Sequence, residues 1–160
     1  MDYTFHFDSP LGGMTMQSDG QALCGLWFDR QNRIPTREET RLPVFAQTEE
    51  WLRAYFGGKV PDFTPPLHLS GTPFQKAVWE QLLTISYGTT ATYGELAKRL
   101  GRSGRAAQAV GGAVGRNPVL LIVPCHRILG ADGSLTGYLA GTDRKRALLQ
   151  LENAEIPPRA

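Results

Sequence analysis

Cysteine is scarce in this chain. There are two in 160 residues, Cys24 and Cys125, 101 positions apart. Separation alone does not forbid a disulfide, but the chain gives no sign of export. Its first residues, "MDYTFHFDSPLGG", have neither a basic n-region nor an apolar h-region. The expected setting is therefore the reducing cytoplasm, with two free thiols. Long apolar runs are lacking too. None approaches the roughly 20 residues that span a bilayer, so no membrane partner is expected. Histidine is sparse, at positions 6, 68 and 126, and no CxxC or HxxxH spacing occurs. That argues against a structural zinc site. What remains is the composition of a globular protein, 41% hydrophobic and 20% charged, long enough for one domain or two small ones.

The charge is small but uneven. Residues 1–70 hold six Lys/Arg against nine Asp/Glu, a net −3; residues 71–160 hold eleven against six, a net +5. A basic second half fits a polyanionic partner such as nucleic acid, although an excess of five over ninety residues is common.

"YTFHF" alternates as a strand does. "MTMQSDGQALCGLWF" reads as two strands joined at the turn signal "SDG", with Cys24 as a buried, inert thiol. "PTREETRLP" reads as a loop. "VFAQTEEWLRAYFGG" puts Phe45, Trp51, Leu52, Tyr55 and Phe56 on one helical stripe closed by glycines. "KVPDFTPPLHLSGTP" has four prolines in fifteen residues and reads as a linker, with His68 as a surface or packing residue. The expected division is an N-terminal α/β domain at 1–60, a linker at 61–71 and a mainly helical domain at 72–160.

The second half opens with Thr72 as N-cap and Pro73 at the first helical position. Phe74, Val78, Leu82 and Ile85 form the apolar face of that helix. A short helix follows from about Tyr93 to Leu100, and another from about Ser103 to just before Asn117-Pro118. Together they suggest a helix-turn-helix. The second is nearly stripped of side chains by Ala106, Ala107, Ala109, Gly111, Gly112 and Ala113. Each glycine costs about 1 kcal/mol in a helix interior. Something must approach that backbone closely, either a neighbouring helix or a nucleic-acid groove.

"LLIVPCHR" carries the chemistry. The strand-like run Leu120 to Val123 should stop at Pro124, placing Cys125 at the rim of the core. A thiol needs to ionise before it attacks, and His126 and Arg127 are the groups that lower its pKa. Adjacent side chains on an extended segment point apart, however. Direct contact of Cys125 with His126 therefore needs a bridging water or a sharp turn. The imidazole also needs an orienting carboxylate. Glu152, at the end of "TDRKRALLQLEN", is the candidate; otherwise it is an exposed helical residue.

"NPVLLIVPCHRILGADGSLTGYLAG" closely resembles the active-site segment of the O6-alkylguanine-DNA alkyltransferases. "GTPFQKAVWEQLLTISYGTTATYGELA" resembles that family's first helical block, "AVGGAVGRNP" its recognition helix and "SPLGGMTMQSDGQALCGLWF" its N-terminal strands. The resemblance implies an α/β (α+β) chain: a ribonuclease H-like N-terminal sheet with a helix, then a winged-helix-like DNA-binding domain. It implies a monomer that needs no cofactor, metal or obligate protein partner. It acts on double-stranded DNA containing O6-alkylguanine, leaving O4-alkylthymine open. A flipped base would lose its alkyl group to Cys125, once per molecule. His126 would take the thiol proton through a water and Glu152 would polarise the imidazole. Asn117 would fix the turn, and Tyr93 would donate to the leaving guanine. Tyr138 and the Leu139 N–H would line the base pocket, with the Ile128 carbonyl accepting from the guanine amine.

Two departures stand out. Leu139 replaces a small residue, and its bulk is expected to narrow the pocket. Gln108 stands where the family usually has an arginine that fills the gap left by the base. It lacks that cation's charge. Arg105, one turn earlier, could serve phosphate or partly substitute. Ala106, Ala109 and Arg116 complete the expected DNA-facing set. Two other readings remain on the sequence: a Cys-His thiol hydrolase, and a module that binds alkylguanine DNA without repairing it.

Overall fold

The computed structural model of the chain describes residues 2–29, 40–135 and 137–154. Most of the loop expected over "PTREETRLP" falls outside these, as does Thr136 of "TGY". The chain divides into two compact units. One comprises Met1–Ser70 with Pro118–Leu120, the other Gly71–Asn117 with Leu121–Ala160.

The first unit is a three-stranded antiparallel sheet under a helix. Strands β1 (Tyr3–Ser9), β2 (Gly12–Ser18) and β3 (Leu23–Phe28) lie in chain order. Their register pairs Phe5 with Met16 and Phe7 with Met14, so one face is apolar. Helix α1 (Pro43–Phe56) lays Phe45, Trp51, Leu52 and Tyr55 on that sheet. Phe5 meets Phe45 with ring centroids 5.9 Å apart. Each such buried side chain contributes about 1.5–3 kcal/mol, so the stripe alone accounts for this element. Cys24 departs from expectation. It is half-buried on the face opposite Leu23, and its thiol donates to the Gln17 carbonyl at 3.5 Å.

The stretch read as a linker is not a free tether. Leu67 bridges to Leu23, and the Leu23 and His68 amides donate to the carbonyls of Pro66 and Leu23 at 2.7 and 2.9 Å. Prolines fit here because an edge segment need not supply every N–H. The outer side of β3 is also occupied. The Leu26 amide donates to the Pro118 carbonyl and the Leu120 amide to the Leu26 carbonyl, both at 2.9 Å. The chain then turns sharply, with Leu121 at φ 69°. The run Leu120 to Val123 is therefore a buried turn and not a strand.

The second unit is mainly helical. Helix α2 (Pro73–Leu82) starts with a capping box: Thr72 Oγ1 accepts from the Gln75 amide at 3.1 Å, and Gln75 Oε1 from the Thr72 amide at 3.0 Å. Its buried face is Val78, Trp79 and Leu82, with Phe74 only partly covered. Strand β4 (Ala91–Thr92) leads into α3 (Tyr93–Arg99), again through a capping box, between Thr92 and Glu95. Gly101, at φ 73°, makes the turn to a short 3-10 segment and then α4 (Ala107–Val114). Helix α4 packs on both α2 and α3, giving the expected helix-turn-helix, and the Trp79 indole donates to the Ala113 carbonyl at 2.9 Å. Strand β5 (Ile128–Leu129) pairs parallel to β4, and α5 is Thr142–Leu151. Among the described residues no helix is long and apolar enough to cross a membrane.

Candidate active site

Pro124 sets the site's geometry. At φ −83° and ψ 64° it centres an inverse γ-turn in which the Cys125 amide donates to the Val123 carbonyl at 2.8 Å. Cys125, His126 and Arg127 follow as one turn of 3-10 helix. The sharp turn thus sits at the cysteine, and the adjacent side chains are not forced apart as on a strand. Pairing of Ala91 with Ile128 and of Thr92 with Leu129 then brings the start of α3, hence Tyr93, alongside this turn. Asn117 braces it: its Nδ2 donates to the Val123 carbonyl at 2.7 Å, and its amide also hydrogen-bonds the thiol.

Cys125 is buried within the core and not at its rim. Burial pushes its thiol up to about 11, against the smaller downward pulls of the Asn117 hydrogen bond and the Lys145 charge. The sequence suggested that Arg127 would help ionise the thiol; its guanidinium is engaged elsewhere. Nε and Nη2 donate to the two Glu152 oxygens at 2.8 and 3.2 Å, and Nη1 donates to the Ile85 carbonyl at 2.6 Å.

Glu152 is buried and not an exposed helical residue. It accepts from His126 Nε2 at 2.6 Å and from the Gly88 amide at 3.2 Å besides the Arg127 fork. Burial would raise its pKa, but the hydrogen bonds from His126 and Arg127 outweigh it and hold the carboxyl at about 2. His126 is wholly buried, and loss of hydration lowers its pKa despite the carboxylate beside it. The consistent state is an ionised Glu152 accepting from a neutral imidazole. Nε2 then carries the proton and Nδ1 is the basic nitrogen.

The Tyr93 hydroxyl lies 3.0 Å from where a Cβ would stand on Gly137, which at φ 89° keeps the space open. Its pKa is raised by burial and by the thiol. Tyr138 is buried, edge-on to His126 with ring centroids 6.5 Å apart. The Leu139 side chain is 71% exposed. Ile128 is fully buried directly after the Cys125–Arg127 turn. Sequence reasoning missed Lys145, Ile85 and Gly88. Only Lys145 left a signal, its spacing to Leu148, Leu149 and Glu152 along one stripe of α5.

On α4, the 3-10 turn before it and the turn after it, Arg105, Gln108, Ala109, Gly112 and Arg116 are exposed, and Ala106 is half-covered. Their spacing places them on one helical face. A Cβ on Gly112 would meet nothing, and one on Gly111 would meet the Tyr93 ring at an ordinary 3.6 Å. Internal packing therefore does not require these glycines. Among the described residues no group of three or more His, Cys, Asp or Glu could hold a metal ion.

Residues 73–154 match the 6-O-methylguanine DNA methyltransferase DNA-binding domain, and residues 1–69 match that family's ribonuclease-like domain. The chain belongs to the 6-O-methylguanine DNA methyltransferase family. It is 48% identical over 152 residues to the methylated-DNA–protein-cysteine methyltransferase of Mycobacterium tuberculosis, covering 94% of this chain and 92% of that one. The corresponding protein of Haemophilus influenzae is 44% identical, covering 94% and 86%. The crystal structure of Mycobacterium tuberculosis OGT in complex with DNA superimposes with a TM-score of 0.85 at 46% identity, covering 94% of this chain and 92% of that one. The mixed α/β architecture expected from the sequence is thus the family's own. The buried thiol and its imidazole–carboxylate pair lie within the stretch matched by the DNA-binding domain.

Proposed function

We propose that this chain repairs DNA directly, moving the alkyl group of O6-alkylguanine in a duplex onto Cys125. The thiol proton passes through a water to His126 Nδ1, and Glu152 holds the imidazole in the tautomer that can accept it. The thiolate attacks the alkyl carbon; an S–C bond forms and the C–O6 bond breaks. The electron pair leaves with the guanine oxygen, and Tyr93 donates a proton towards the ring. A thioether offers water no carbonyl to attack, so each molecule reacts once and no cofactor is required. The Leu139 N–H and the Ile128 carbonyl contact the base, Tyr138 walls its pocket and Asn117 holds the turn. Arg105 and Arg116 meet phosphates, Ala106 and Ala109 admit the backbone, and Gln108 enters the gap left by the base. The protein acts as a monomer in the cytoplasm.

The observation that carries this reading is the buried Cys125 turn braced against the His126–Glu152 pair. Burial keeps the thiol protonated, so its ionisation is coupled to passing that proton towards His126. The test is intact mass after mixing with O6-methylguanine duplex. One methylene should be gained, mapped to Cys125. Cys125→Ser should gain nothing while retaining DNA binding, and Cys24→Ser should behave as the parent. An unchanged parent mass would instead favour a hydrolase or a non-repairing DNA-binding module.

A further inference from the structure

The buried carboxylate of Glu152 is gripped from two elements. Oε2 accepts from His126 Nε2 and Arg127 Nη2, and Oε1 from Arg127 Nε and the Gly88 amide. Of these donors, Gly88 is the one from outside the Cys125–Arg127 turn, and the mechanism above gives it no part. It lies between α2 and β4. There the Thr89 amide donates to the Ser86 carbonyl at 3.0 Å, closing a β-turn over Ser86 to Thr89. Gly88 is its third residue and stands at φ 80°. Among the described residues, positive φ outside glycine is confined to Leu121 and Asn153, so Tyr87 lies on the ordinary side. That combination is a type II turn, which calls for glycine at this position.

Turn type decides what faces the carboxylate. Between types I and II the central peptide, here Tyr87–Gly88, turns over by about half a rotation. In the type II form its N–H reaches Glu152 Oε1 at 3.2 Å. In type I the Tyr87 carbonyl would take that side and repel the anion. The same segment touches the end of α5 at further points. A Cβ on Gly88 would meet the Glu152 carbonyl oxygen at 3.2 Å, and the Tyr87 hydroxyl donates to the Leu151 carbonyl at 3.4 Å. It also holds the guanidinium, through the Ile85 carbonyl at 2.6 Å and the Tyr87 ring, whose centroid is 5.7 Å from Arg127 Cζ. A carboxylate held from one turn can swing with that turn; a donor from a second element pins it. We propose that Gly88 is a positioning residue for the alkyl transfer: its left-handed φ aims its amide at Glu152, and Glu152 so fixed keeps His126 in the tautomer that accepts the thiol proton.

The inference rests on the proposed transfer to Cys125 through His126, so one readout is taken without DNA. Ring nitrogens of His126 are observed by NMR in 15N-histidine-labelled parent, Gly88→Ala and Gly88→Asn, and single-turnover transfer from O6-methylguanine duplex is measured per folded molecule. Alanine disfavours φ 80°, so its turn should relax towards type I; asparagine brings the same Cβ but tolerates that φ. The parent should show the proton on Nε2. Gly88→Ala should show a mixture of tautomers and transfer about tenfold more slowly, the scale of one lost hydrogen bond to a charged group. Gly88→Asn should recover most of both losses. Should Gly88→Ala fail to fold, the Gly88 amide decides: its proton resonance should move upfield from parent to Glu152→Gln, as charge leaves its acceptor. A folded Gly88→Ala with the parent's tautomer or the parent's rate overturns the inference. So does a Gly88→Asn as slow as Gly88→Ala, or a Gly88 amide resonance equal in parent and Glu152→Gln. Alkyl from DNA found on a residue other than Cys125 would instead overturn the acceptor assignment, which the DNA-free tautomer does not depend on.

Discussion

At the scale of single residues, burial acts with opposite sign on two neighbours. The Lys145 ammonium falls from 10.5 to about 8, and the Cys125 thiol rises from 9.0 to about 11. Above pH 8 the unfolded chain holds its lysine proton longer than the folded one, so Lys145 makes stability rise with pH until about 10.5. From pH 9 the unfolded thiol releases its proton first, so Cys125 makes stability fall with pH until about 11. The two largely cancel in the parent. In Cys125→Ser the rise should stand alone, about 3 kcal/mol across the window. In Lys145→Met the fall should stand alone, about 3 kcal/mol. Urea melts at a series of pH values check this, and parallel curves for all three proteins would refute it. Glu152 works at the other end of the scale. Its depressed pKa contributes stability that is present above 4.5 and lost as pH falls towards 2. Glu152→Gln keeps an acceptor for His126 but removes the charge. Transfer per folded molecule should slow roughly 10- to 100-fold, measured by single-turnover mass kinetics. A rate equal to the parent's would remove Glu152 from the proton path.

At the scale of the element, α4 is the informative case. Its inner face is fixed by Val110, Ala113 and Val114, with the Trp79 indole on the Ala113 carbonyl. Its outer face has Gln108 between Arg105 and Arg116, with Gly112 open. Extracting a base from a duplex costs a few kcal/mol, and a side chain entering the gap lowers that cost. Free O6-alkylguanine needs no extraction. Gln108→Ala should therefore slow duplex repair roughly tenfold and leave reaction with the free base unchanged. Gln108→Arg should equal or exceed the parent on duplex. The ratio of the two second-order rate constants is the measurement. If Gln108→Ala leaves that ratio unaltered, Arg105 becomes the residue to test.

At the scale of the whole molecule, charge is divided along the chain. Residues 71–160 carry the excess of +5, and residues 1–70 a net −3. DNA should be held by the second unit through counterion release. About four phosphate contacts would cost roughly a hundredfold in affinity between 50 and 200 mM salt. Arg105→Ala and Arg116→Ala should each flatten that slope by about one contact, whatever the DNA sequence. Affinity that does not change with salt would exclude a backbone-dominated interface.

The sequence by itself determined the elements whose cause is local. Period-two alternation gave β1, the "SDG" turn joined β2 to β3, the aromatic stripe gave α1, and Thr72-Pro73 opened α2. The "PCHR" segment with its flanks was enough to identify the thiol, the imidazole and the family. Tertiary structure decided what sequence period cannot encode. Leu120 to Val123 are all apolar, which suits a strand and a buried turn equally. The turn prevails because the chain leaves its hydrogen bonds with β3 at Leu120 and folds back through Leu121. Arg127 stood next to Cys125 in sequence and so looked like its activator. Only the fold reveals that Glu152, from 25 residues away, and the Ile85 carbonyl engage its guanidinium. Lys145 is one of several cations in "TDRKRALLQLEN". Its burial depends on which face of α5 turns inward against the reactive turn, and the packing of a second element sets that face.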